Sequence, residues 1–124
     1  MTVRKHTIAI LTDGSGNATV YSPFLSGFVE SLQYVKTDFT NGVDFTITSE
    51  ATGETIWTQS NVDAAVTKRP RAPTHSVDGA ASLFASGGTA VNDRIALSRD
   101  RIKIAIASGG AGKIGEIIAT VSDD

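Results

Sequence analysis

Cysteine is absent from the 124 residues, which excludes disulfide staples and thiolate metal sites and leaves the redox compartment open. Aromatic residues are scarce at 6 %, so few rings are to spare for anything beyond a core. Neither sign of charge dominates: a net charge of −2 gives no global attraction to nucleic acid or to an anionic membrane. No apolar run approaches the roughly 20 residues that span a bilayer. The start, "MTVRKHTIAILTDG", is basic before its apolar stretch, but the stretch is too short for a signal-peptide core and no A-x-A site follows. It is predicted to be a strand, and synthesis is expected in the cytoplasm. What remains is 40 % apolar and 19 % charged, a globular balance. The length suits one domain spanning 1–124, able to bury a core without staples.

The pattern along the chain is β. "HTIAILT", "ATVYS" and "LSGFVESLQYVK" read as strands separated by "DGSGN" and Pro23. Gly27 inside the third predicts a bulge or a close backbone approach. After "TDFTNG", the stretch "VDFTITSE" alternates strictly, with Val43, Phe45 and Ile47 on one face, as a half-buried strand requires. "ATGE" then turns the chain and "TIWTQ" pairs back as a hairpin. From about 60 to 91 the composition shifts to Ala, Gly, Pro and Thr. The segment reads as a long structureless arm, with a helical turn or two at most in "GAASLFAS". Beyond it "VNDRIALSRDRIKIAIAS" and "KIGEIIATV" return to β, and "SDD" reads as a frayed end. Seven or eight short strands between Gly/Asn/Asp turns predict an all-β fold: an antiparallel β-sandwich or jelly-roll-like domain with a long central arm.

Gly110, Gly112 and Gly115 fall on G-x-G-x-x-G after an apolar run, the pattern that cradles a dinucleotide pyrophosphate. That site needs a following helix and a second strand with a ribose-binding acid. Only "EIIATVSDD" follows Gly115. A P-loop fails too, with Ala107 at the first glycine position and Ile114 where Ser or Thr should bind Mg²⁺. The glycines are read as a hairpin turn joining two Ile-rich strands. "DGSGN" spaces Asp13, Ser15 and Asn17 like calcium ligands, but Phe24 occupies the twelfth position where a bidentate Glu belongs, so it too reads as a hairpin. His6 and His75 have no zinc spacing. Ser76 and Asp78 flank His75 without a nucleophile elbow. Asp38, Asp44, Glu50 and Glu54 suit turns and a polar hairpin face better than a hydrolytic pair. Trp57, Tyr34, Tyr21 and Phe45 raise a sugar-stacking platform against the usual sandwich core.

"TKRPRAPTH" is the most informative stretch. Lys68, Arg69 and Arg71 concentrate charge beside His75, while Pro70 and Pro73 stiffen the backbone and exclude helix. The stretch is either a solvated loop or an arm that lies on an acidic protein surface through Arg–carboxylate pairs. Arg94, Arg99, Arg101 and Lys103 add a basic bias against an acidic hairpin at 38–54, a polarity suited to self-assembly.

With those stretches in view, the chain resembles small virion proteins encoded in tailed-phage and prophage head-gene clusters. The resemblance is carried by "SPFLSGFVESLQYVKTDFTNGVDFTITSEATGETIW", "RPRAPTH" and "GGTAVNDRIALSRDRIKIAIASGG", strings rather than catalytic motifs. It implies a capsid decoration or cement protein on the outer surface of the head shell. The implied partners are the major capsid protein and copies of the chain itself, as a dimer or trimer. It implies no enzyme, cofactor, metal, nucleic acid, membrane or small-molecule substrate. The expected contact residues are Lys68, Arg69, Pro70, Arg71, Pro73 and His75. A neck or tail component is the alternative within the same resemblance, and a carbohydrate-binding sandwich the alternative from another class.

Overall fold

A computed structural model describes residues 2–123. Among the described residues there are eleven strands: β1 (Val3–Leu11), β2 (Ala18–Tyr21), β3 (Leu25–Lys36), β4 (Val43–Ser49), β5 (Thr55–Val62), β6 (Val66–Lys68), β7 (Ala72–Pro73), β8 (Asn92–Asp93), β9 (Ile95–Asp100), β10 (Ile102–Ala107) and β11 (Ile114–Ser122). One sheet runs β1-β11-β3, with β6 and β9 sharing the far edge of the long strand β3; the other runs β2-β10-β4-β5. All pairings are antiparallel. The all-β expectation is met.

Alternation explains why the sheets face each other. Val43, Phe45 and Ile47 of β4 and Ile102, Ile104 and Ile106 of β10 are buried and meet Ile8, Ile10, Leu32, Tyr34 and Ile117 from the first sheet. Rings bridge the layers: Tyr34 on β3 lies 4.7 Å from Phe45 on β4, which stacks on Trp57 at 5.2 Å. The Tyr34 hydroxyl is buried and, among the described residues, has no hydrogen-bond partner. Burial accordingly raises the phenol's pKa above its ordinary value. An unpaired buried hydroxyl costs about 1–2 kcal/mol. Tyr34→Phe is therefore expected to raise the melting temperature by about 3–5 °C. A fall in a thermal melt would show that the hydroxyl is satisfied in solution.

The turns differ from expectation in a systematic way. The Ile-rich strands β10 and β11 do not form a hairpin: β10 pairs with β2 and β4, while β11 pairs with β1 and β3. The "SGGAG" connection arches from one sheet to the other. "DGSGN", also read as a hairpin, is likewise an arch from β1 to β2, and "TDFTNG" arches from β3 to β4. A glycine at positive φ serves both geometries, so turn chemistry alone does not distinguish them. Only β4–β5, the hairpin read from "ATGE", reverses within one of the two large sheets.

The three arches lock together at one end of the sandwich. The Thr12 N–H donates to the Lys113 carbonyl at 2.9 Å, Gly109 N–H to Gly16 carbonyl at 2.9 Å, and Thr40 N–H to Gly109 carbonyl at 3.1 Å. The glycine fingerprint is consumed here. Gly110 sits at φ +87° against Thr40, and a Cβ on Gly115 would lie 2.6 Å from the Phe39 ring.

The segment 60–91 is not structureless, and "GAASLFAS" forms no helical turn. It holds the end of β5, then β6 and β7, with β7 paired to β8 and further bridges His75↔Ala81 and Leu83↔Ala90. Nor is the C-terminal stretch frayed as far as it is described. Ser122 is fully buried, and Asp123 N–H donates to the Thr2 carbonyl at 3.0 Å. Asp124, the last residue of that expectation, lies outside the described residues.

Candidate functional site

The arm leaves the sandwich at Arg69 and returns at Arg94, on the edge of β3 shared by β6 and β9. Both ends are clamped to Glu30 of β3. Arg71 donates to the Glu30 carbonyl at 3.3 Å and to the Pro70 carbonyl at 2.7 Å. Arg94 pairs with the Glu30 carboxylate at 3.1 Å and lies 4.3 Å over the Phe28 ring. Farther out, backbone bonds hold the arm in a compact knot: Thr74 N–H to Val91 carbonyl, Val91 N–H to Ser82 carbonyl and Ser82 N–H to Thr74 carbonyl, each at 2.8 Å. Such bonding needs no side-chain alternation, which is why the composition gave no strand signal.

The predicted contact residues separate into two groups. Lys68 is half-buried in β6 opposite Leu32, and Pro70 is buried. Its carbonyl accepts from Arg71 where the arm leaves β6. Arg69, Arg71, Pro73 and His75 are exposed along the stem. Sequence reasoning missed the distal part, where Val77 is fully exposed, Phe84 is 76 % exposed and Leu83 is 45 % exposed. The available signal was "SLF" standing alone within a tract of Ala, Gly and Ser. The arm thus combines an exposed cationic stem with an exposed apolar tip.

The other candidates resolve into structural roles. The Asp13 carboxylate accepts the N–H groups of Ser15 and Asn17 at 2.8 and 3.0 Å, and the Asn17 and Ser15 bonds hold its pKa below the ordinary value. Asp38 accepts the Ile114 N–H, Asp44 accepts the Asn61 N–H, and Glu50 takes both forks of Arg101. Glu50 is held below its ordinary pKa chiefly by that hydrogen-bonded guanidinium. Tyr34 and Phe45 are core, Trp57 is half-buried on Phe45, and Tyr21 lies beneath Arg101 at 4.3 Å. These four rings make no common sugar-stacking face. Among the described residues, no three His, Asp or Glu side chains converge to hold a metal ion.

Comparison with family models, curated proteins and solved structures gives no match.

Proposed function

We propose that the chain is a capsid decoration or cement protein of a tailed-phage head, attached to the shell through the arm at 69–94. The observation that carries this reading is a clamped arm that leaves Val77 and Phe84 in solvent. An ordered element whose large apolar side chains find no cover on their own chain presents them to a partner. The stem supplies Arg69 and Arg71, whose guanidinium groups pair with surface carboxylates. A rigid sandwich with a projecting contact suits a multivalent shell, where repeated modest contacts give high occupancy.

The test is occupancy on purified heads lacking the chain, to which the protein is added back. Arg69→Glu combined with Phe84→Ser is expected to abolish binding and to leave the melting temperature within about 2 °C, because both side chains are exposed. Full occupancy by this variant would remove the arm from the account.

A further inference from the structure

The long edge strand β1 offers a second surface. The Asp123 N–H donates to the Thr2 carbonyl and the Thr12 N–H to the Lys113 carbonyl, so the even positions at both ends of β1 bond to β11. Antiparallel ladders alternate. Arg4, His6, Ile8 and Ile10 therefore bond to β11, and the N–H and C=O groups of Val3, Lys5, Thr7, Ala9 and Leu11 point away from it. No strand pairs with that edge among the described residues. The other edges are short or irregular: β2 has four residues, β6 three, and β5 is interrupted by two register shifts. Shortness and bulges are the usual protections of an exposed edge. The nine residues of β1 are regular throughout their pairing with β11.

We infer that β1 pairs antiparallel with β1 of a second copy, about a twofold axis through Thr7. This register uses all nine residues and places Val3 opposite the copy's Leu11, Lys5 opposite Ala9, and Thr7 opposite Thr7. Val3 and Leu11 are 54 % and 64 % exposed in the single chain, and Ile114, directly across from Leu11 on β11, is 49 % exposed. The copy's Val3 would arrive beside the groove that Leu11 and Ile114 line, so three exposed apolar side chains cover one another at each end of the seam. Glu116 lies across from Ala9 on β11. With only a methyl group between them, Lys5 of the copy can reach over Ala9 to Glu116. Other symmetric registers are poorer: centring on residue 5 sets lysine against lysine, and centring on residue 6 sets histidine against histidine. The match is self-complementary, as an isologous interface requires.

The surface lies at the opposite edge of the sheet from the arm, so both arms stay free in the dimer. The inference does not rest on the proposed attachment to a phage head, and each fails separately.

Sedimentation of the full chain tests it. The wild type is expected to run as a dimer at micromolar concentration. Thr7→Pro is expected to run as a monomer, since it removes an N–H that faces the free edge and bonds nothing within the chain. Should Thr7→Pro fold poorly, Lys5→Glu provides the second variant: it is expected to weaken the dimer at least tenfold, with recovery in the Lys5→Glu/Glu116→Lys pair. Because the chain has no native cysteine, Thr7→Cys should also oxidise to a covalent dimer. A monomeric or trimeric wild type, or a Thr7→Pro variant that stays fully dimeric, would overturn the pairing.

Discussion

Gly27→Ala is expected to unfold the protein or to lower its melting temperature by more than about 10 °C. Gly27 sits at φ +135°, and a Cβ there would lie 2.0 Å from the Ser122 carbonyl oxygen and 2.9 Å from its carbon. Both are backbone atoms of the neighbouring strand, so no rotamer change relieves the clash. The position is where β3 slips its register against β9, between Leu25 and Gly27, a bulge that bends the strand. Forcing β3 off β11 would break the ladder at the centre of its sheet. Strain and collision together cost more than about 3 kcal/mol. Gly53→Ala is the control: its φ is also positive at +75°, but its Cβ would meet nothing within 4 Å. A loss of only about 1 kcal/mol is expected there, the cost of the left-handed conformation alone. Equal losses at the two sites would refute the steric explanation for Gly27.

Asp100→Ala is expected to cost about 2–4 kcal/mol, near 10 °C in a thermal melt. Asp100 is a buried carboxylate at the step from β9 in one sheet to β10 in the other. It accepts the Ser49 hydroxyl, the Ala51 N–H at 3.0 Å and the Arg101 N–H at 2.7 Å. The crossover is thereby tied to the β4–β5 hairpin. Removing the acceptor strands three donors at once, which is costlier than losing one bond. The Ser49 hydrogen bond leads the interactions that hold the Asp100 carboxyl below its ordinary value, against desolvation. The sign follows: a carboxylate favoured in the folded state adds stability in full above the ordinary aspartate value of about 4, and that stability drains as pH falls below it. As pH falls below about 4 the wild type should lose stability faster than Asp100→Ala. Parallel acid-unfolding curves would show that Asp100 contributes nothing through its charge.

Reading the chain residue by residue located most strands and missed most partnerships, for a physical reason. Alternation in "VDFTITS" and "IKIAIA" identifies which side chains face inward, because a strand's two faces differ in environment. It carries no information on which neighbour the strand will bond. The β4–β5 hairpin was legible because the connection is short and both strands lie in one sheet. The β10–β11 connection has the same glycine chemistry but spans the layers, and Gly115 is glycine because Phe39 fills the space a Cβ would need. That requirement belongs to a contact between distant segments and leaves no local trace. At the site, the charge of Arg69 and Arg71 stands out in the sequence, whereas nothing local distinguishes the buried Pro70 from the exposed Pro73. Phe84 and Val77 were overlooked because isolated apolar residues on a polar tract carry no periodicity, and only their exposure makes them distinctive.

The proposed attachment to a phage head is tested most directly by quantitative mass spectrometry of purified tailed-phage virions produced with the gene for this chain present. The account predicts copies of the chain in fixed proportion to the major capsid protein, lost together when the arm tip is excised between Pro73 and Asn92. Absence from the particles, or a copy number matching a single ring at the neck or tail, would contradict it.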